Sequence, residues 1–350
     1  MEARVLDLER AAEWQAALDR VDDADVYHSP AYHRAAEANG DGRALAFVAA
    51  EGSDLLVHPF LRRPIESVGD AAVDGGWCDL ESVYGYSGPV ATTCEPVFLE
   101  RAWDAFDAWC AAERVVAEFV RFNPLLRNEE LAAPSTGVVL DRETVALPLD
   151  VDDLWQSYPS AQRNMVRRAE AAGLVAVRAG ADGLSSFVPL YREAMARVGA
   201  GEWYVFGDAY FDALAQLGGF ELFEVRTQDG ELVAAAIFLA DGARLHYHLA
   251  ASTHGRAERG ANNLLLHAAA SWGRESGLAM LHLGGGRTAA PDDALLRFKS
   301  ALSRVRLPFY TGRRVHHREM YDDLCSLWLS RVRPADRPPF FLLYRLGTEA

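Results

Sequence analysis

The sequence has almost no lysine. Lysine and arginine together number 35, of which 34 are arginine, so Lys299 is the single lysine of the chain. A chain that uses the planar guanidinium elsewhere places one compact ammonium at one position, and the two groups are not interchangeable. A point charge suits one developing oxyanion, or one phosphate oxygen, better than a fork does. A solvated surface charge is the plain alternative. Cysteine is scarce as well. Cys78, Cys94, Cys110 and Cys325 form no CxxC pair, which excludes zinc-finger and thioredoxin-type motifs. Reduced, mostly buried thiols are expected instead. Long hydrophobic runs are missing too. The longest clean one, Val233 to Ala240, is far shorter than the roughly 20 residues of a membrane span. Met1-Glu2-Ala3-Arg4 leads into a charged segment and not into an apolar signal core. The expected location is cytoplasmic.

What is present is ordinary globular material. The chain has 350 residues, half of them hydrophobic and about a quarter charged. That length exceeds what one core usually supports, so two domains are expected, at 1–150 and 151–350. The net charge of −15 is unevenly placed. Residues 1–150 hold 28 acids against 12 arginines, and residues 151–350 hold 22 acids against 23 cations. Within the second half, Arg297, Lys299, Arg304, Arg306, Arg313, Arg314 and Arg318 follow one another with no acid between them. Such a stretch fits phosphates or a solvated face.

Periodicity divides the first half as follows. Residues 6–20 recur at helical spacing. Ser29-Pro30 reads as an N-cap and first turn, opening a helix to about Ala38. The apolar runs 44–50 and 55–61 flank Glu51-Gly52-Ser53, a hairpin. Residues 66–95 are turn-rich, 95–113 helical, 115–122 a strand and 136–149 extended. In the second half, helices are expected at 160–172, 185–198 and 208–217. A three-strand meander follows at 220–227, 231–240 and 244–251. Then come a helix at 261–275, a strand at 279–283, a helix at 292–303 and a strand at 307–315. The proline-containing tail is expected to dock as an extension.

This order resembles the core of the GNAT acyltransferases. The resemblance implies a sheet that splays where 244–251 meets 279–283, exposing backbone groups that hold an acyl or aminoacyl carbonyl. More specific stretches carry the resemblance further. They are Ser160-Ala-Gln-Arg163-Asn164-Met-Val-Arg167-Arg168-Ala169, His246-Tyr247-His248-Leu249, Gly260-Ala261-Asn262-Asn263-Leu264-Leu265, His282-Leu283-Gly284-Gly285-Gly286 and Arg297-Phe298-Lys299-Ser300. Tyr27-His28-Ser29-Pro30-Ala31-Tyr32 and Tyr84-Gly85-Tyr86-Ser87-Gly88-Pro89 join them in the first half. Together they resemble the Fem-like aminoacyltransferases of the GNAT superfamily, from about residue 25 to 318.

The resemblance implies an α+β protein with two GNAT-like domains. Each has a mixed, mostly antiparallel sheet flanked by helices, with a cleft between the domains. The first would face the acceptor and the second the donor, with a C-terminal extension. The implied activity is amide formation from an aminoacyl-tRNA and an amine, with no further cofactor. Lys299 and Tyr247 would be catalytic. Phe298, Tyr84, Tyr86, Tyr204, Asn263 and Gly284 would bind substrate. Arg163, Arg167, Arg168, Arg297, Arg304, Arg306, Arg313 and Arg314 would receive the tRNA through its phosphates.

Each residue also has a plainer reading. Tyr247 is equally a half-buried strand tyrosine. His246, His248 and His282 lack the carboxylate spacing of a metal site and read as packing imidazoles. Asn262 and Asn263 suit helix capping. Gly284-Gly285-Gly286 lets backbone approach a ligand or merely turns the chain, and no GxGxxG dinucleotide fingerprint is present. Arg259 stands where an acetyl-CoA-binding loop would carry its first glycine, which weakens the alternative of an acyl-CoA N-acyltransferase. An inactive GNAT-like binding protein is the other alternative. Tyr32-His33-Arg34-Ala35-Ala36 lacks the lysine that muramyl-peptide-using members carry there, so a smaller amine or peptide is the expected acceptor.

Overall fold

The computed structural model describes residues 1–199, 201, 204–253 and 260–347. Two compact units make it up: Met1–Asp141 together with Phe309–Ala350, and Arg142–Pro308. The units therefore differ from the expected 1–150 and 151–350, because the last segment packs with the first part of the chain.

The first unit runs β1 (Glu2–Asp7), α1 (Ala11–Leu18), α2 (Pro30–Asn39), β2 (Arg43–Glu51) and β3 (Asp54–Pro64). Four short strands follow: β4 (Ser67–Val68), β5 (Ala71–Ala72), β6 (Cys78–Glu81) and β7 (Val90–Ala91). Then come α3 (Pro96–Ala112) and β8 (Val115–Arg121). The helix expected over 6–20 is corrected at its start. Residues 2–7 form a strand antiparallel to β2, from Glu2 opposite Ala50 to Asp7 opposite Leu45. Backbone pairing with a sheet edge outweighs the helical spacing at Leu6; a 3-10 turn follows over Leu8–Arg10, and α1 begins at Ala11. The other signals act as read. Ser29 Oγ accepts from the Tyr32 amide at 3.1 Å and Pro30 opens α2. β2 and β3 form a hairpin closing at Glu51 opposite Asp54. β2 is apolar from Ala44 to Ala50 because both faces are covered. Leu45, Phe47 and Ala49 pack with Trp103 and Phe106 of α3, and Ala46 and Val48 with Trp14 and Leu18 of α1.

The second unit starts within β9 (Gly137–Pro148) and continues through α4 (Leu154–Ser157), α5 (Ser160–Ala171), β10 (Val175–Arg178), α6 (Leu184–Arg197) and α7 (Asp208–Ala215). It then runs β11 (Phe220–Arg226), β12 (Leu232–Asp241), β13 (Arg244–Ser252), α8 (Ala261–Glu275), β14 (Met280–Gly285) and α9 (Ala294–Ser300). The chain ends with β15 (Val305–Val315) and α10 (Arg318–Val332). β10 and α10 escape the periodicity reading. β10 is four residues long, and α10 is recognised by its buried face, Tyr321, Leu324, Cys325 and Trp328, packed on Ile65, Val68 and Val116.

Within each unit the same order recurs. The first sheet runs β1-β2-β3-β6-β8-β15 and the second β10-β11-β12-β13-β14-β9. Each has one strand, two helices, three antiparallel strands, a helix and a strand parallel to the third; an antiparallel strand completes each sheet, β15 from the end of the chain in the first and β9, which precedes the rest of its unit, in the second. The chain thus holds two copies of one α+β fold, a question that periodicity alone left open. The closing strand of the first copy, β15, arrives only after the second copy is complete.

Candidate active site

The second unit opens where β13 and β14 part. Their parallel ladder has three steps, Arg244–Met280, Leu245–Leu281 and His246–His282. Past His246, β13 stays paired with β12, while β14 stays paired with β9. Each strand has an irregularity just beyond the fork. On β13, Phe238 faces Tyr247 and Ile237 faces Leu249, so His248 is an extra, bulged residue. On β14, His282 and Gly284 face successive residues of β9, so Leu283 is extra. Bulges bend a strand and re-aim its side chains. Gly284 sits at φ +73°, in the left-handed region that favours glycine.

Lys299 of α9 points into this fork. It is 7% exposed, and its Nζ donates to the Gly285 carbonyl at 2.8 Å. Nζ lies 5.7 Å from the centre of the Tyr247 ring, within cation–π range. Burial lowers the Lys299 pKa from 10.5 to about 7; the Arg142 guanidinium presses it down further, and the Asp293 carboxylate opposes both. The same burial pushes the Tyr247 phenol up, so it stays protonated and can donate. The site therefore offers an amine that changes charge near neutrality, a neutral phenol, and backbone freed by the fork.

Two further side chains shape the loop after β14. Arg142 of β9 donates to the carbonyls of Gly286, at 3.0 Å, and Arg287, at 2.9 Å. Asp293 caps α9. It accepts from the Leu296 amide at 2.9 Å, the Thr288 amide at 3.1 Å and Thr288 Oγ1 at 3.2 Å. The amide of Leu296, foremost among these partners, holds its carboxyl down to about 2. A Cβ on Gly286 would stand 2.5 Å from Asp293 Oδ1, so only glycine permits this approach. Sequence reasoning missed both residues. Asp293 was findable, as an aspartate just before an apolar helix; Arg142 acts across the sheet and leaves no local signal.

The histidines at the fork are structural. The His246 and His282 rings meet edge to face at 5.6 Å. His282 Nε2 lies 3.0 Å from Thr144 Oγ1, which in turn donates to the Leu307 carbonyl. His248 Nε2 lies 2.9 Å from the Tyr210 hydroxyl, and burial drives its pKa down to about 3. Among the described residues no group of three or more His, Cys, Asp or Glu side chains is arranged to hold a metal.

Of the expected site residues, Lys299, Tyr247 and Gly284 come together at the fork. Phe298 packs against the second unit's core. Asn263 does not reach the site as a free amide. It is buried, its Nδ2 donates to Gln162 Oε1 at 2.5 Å, and its backbone carbonyl accepts from Gln162 Nε2 at 3.3 Å. The pair ties α5 to α8. The carbonyl of Tyr204 accepts from the Tyr191 hydroxyl at 3.0 Å. Tyr84 and Tyr86 belong to the first unit. The Tyr84 carbonyl accepts from the Tyr32 hydroxyl, and the Tyr86 ring meets Tyr27 and Phe309 edge-on.

The arginines divide as well. Arg168, Arg297 and Arg304 are exposed. Arg167 is exposed and stacks over Trp155. Arg163 spends donors on the Tyr158 and Gln156 carbonyls, and Arg306 on Ser303. Arg313 and Arg314 lie in the first unit. Arg314 is 4% exposed and donates to Asp107 and Ser135, so it is a buried structural ion and not part of a nucleic-acid surface. Residues 256–259, on the loop that bears on the acyl-CoA alternative, lie outside the described residues.

Residues 160–300 match the acetyltransferase (GNAT) domain model. That stretch is a GNAT domain. The chain's GNAT fold is shared with FemX, at 15% identity and a TM-score of 0.68 over 92% of this chain and 99% of that one. It is also similar to L-PGS from Bacillus licheniformis, at 14% identity and a TM-score of 0.59 over 87% and 91% of the two chains. The C-terminal domain of a putative lysylphosphatidylglycerol synthetase from Agrobacterium fabrum aligns at 15% identity with a TM-score of 0.57, over 87% and 92%. None of the curated proteins matches in sequence. Among the described residues, no helix is long and apolar enough to cross a membrane.

Proposed function

We propose that the protein is an aminoacyltransferase that moves an amino acid from an aminoacyl-tRNA to the amine of a small molecule or peptide, forming an amide bond. The observation that carries this reading is the buried Lys299 amine at the strand fork, held on the Gly285 carbonyl and facing Tyr247. An aminoacyl ester is already activated, so the reaction calls for no cofactor beyond its donor. The acceptor amine attacks the ester carbonyl and the carbonyl electrons move onto oxygen; collapse re-forms the carbonyl and breaks the bond to the ribose oxygen, which takes up a proton as the nitrogen gives one up. Lys299 in its ammonium form stabilises that oxyanion or protonates the leaving ribose oxygen. A group that titrates near 7 both gives and regains a proton at neutral pH. Tyr247 donates through its phenol.

The exposed Arg168, Arg297 and Arg304, with Arg163, Arg167 and Arg306, supply charge for the tRNA acceptor end. The first unit carries the acceptor. Its acidic balance and the absence of lysine from 32–36 favour a small amine or peptide over a UDP-muramyl peptide.

The competing reading is acyl-CoA-dependent N-acylation, which the description of the matched domain favours. Incubation with charged tRNA or acetyl-CoA, each with a library of amines, separates the two. The expected result is amide product from charged tRNA that disappears after RNase treatment. Product from acetyl-CoA that survives RNase overturns the proposal.

A further inference from the structure

The loop that follows β14 is gripped by two opposite charges. Arg142 reaches from β9 and binds the carbonyls of Gly286 and Arg287. Asp293 reaches from the cap of α9 and binds the amide and hydroxyl of Thr288, with Gly286 pressed against its carboxylate. The residue just before this grip is Gly285, whose carbonyl receives Lys299. We propose that Arg142 and Asp293 are the positioning residues of Lys299, a pair of opposite charges that fixes the 286–288 loop and flanks the ammonium. Its catalytic meaning rests on the function proposed above; its structural content does not.

Lys299 touches the Tyr247 ring of β13 and the Gly285 carbonyl of β14. The charged groups that act on it are Arg142 of β9 and Asp293 at the cap of its own helix. The two charges act in opposite directions, Arg142 against the ammonium and Asp293 for it. A loop held merely for stability has no reason to respond with opposite signs when each is neutralised.

Lys299 being the only lysine makes the test direct. Protein carrying isotope-labelled lysine shows one lysine side-chain resonance, and its shift against pH reports this amine alone. The wild-type midpoint is expected near 7. Arg142→Gln is expected to raise it and Asp293→Asn to lower it, each by roughly one pH unit. Asp293→Ser keeps a capping oxygen without the charge and is expected to follow Asp293→Asn. Midpoints that stay at the wild-type value, or that move the same way in the Arg142 and Asp293 variants, overturn the proposal. The titration uses no substrate, so failure of the tRNA-dependent reaction leaves its outcome unchanged.

Discussion

At the scale of single residues, Lys299 is where the chain departs from its own habit. Arginine would not serve in its place, since a guanidinium keeps its charge when buried. The cost of burying this ammonium has a definite sign. The unfolded chain keeps the Lys299 proton up to about 10.5, the folded one only to about 7. Between those values the unfolded state binds more protons, so stability rises with pH across the window. Below pH 7 the full penalty is present. Lys299→Met removes it. The variant is expected to melt above wild type at pH 6, with the gain gone by pH 11, while turnover is lost. Melting curves across that range check the sign. A variant no more stable at pH 6 than wild type would mean that the amine is well solvated.

Asn263 illustrates the opposite outcome. Its place in a family-like stretch suggested substrate contact, but its amide is committed to Gln162. Asn263→Ala leaves the buried Gln162 oxygen without that donor, which costs about 1–3 kcal/mol. Urea denaturation is expected to show the loss, with KM for the acceptor unchanged. A raised KM at unaltered stability would restore the substrate-binding role.

At the scale of elements, the site depends on two strands failing to stay together. Pairing of β13 with β14 stops at His246–His282, and the two bulges turn Tyr247 and Gly284 toward Lys299. Gly284→Ala places a Cβ in left-handed backbone, at a cost of about 1–2 kcal/mol. The strain falls on the residue before the Lys299 acceptor, so the lysine midpoint is expected to move with the loss of stability, and both are measurable on one sample. Most of these elements were legible in the sequence. Capping at Ser29, the 51–54 hairpin and the 220–252 meander are local events, coded by neighbouring residues. β1 was not, because Val5 and Leu6 suit a helix as well as a strand, and the choice lies with β2.

At the scale of the whole molecule, chain order and unit membership disagree. β15 and α10 follow the second unit in sequence and complete the first in space. Trp328 of α10 is buried there, its Nε1 donating to the Leu346 carbonyl. Trp328→Ala is expected to cost about 3–5 kcal/mol and to make the first unit the early target of limited proteolysis. Fragments that map first to 142–308 would contradict this.

The sequence by itself determined the alternation of helices and strands in the second half, the scarcity that singles out Lys299, and the family-like stretches around it. These follow from periodicity, composition and short-range chemistry. Only the tertiary structure decided what Lys299 meets. Its carbonyl partner is fourteen residues away, its ring partner is on β13, and Arg142 comes from a strand far earlier in the chain. It also decided which arginines reach water and that Arg314 does not. Charge in a sequence carries no address. Burial and pairing supply it, and they depend on residues that the chain brings together only once it is folded.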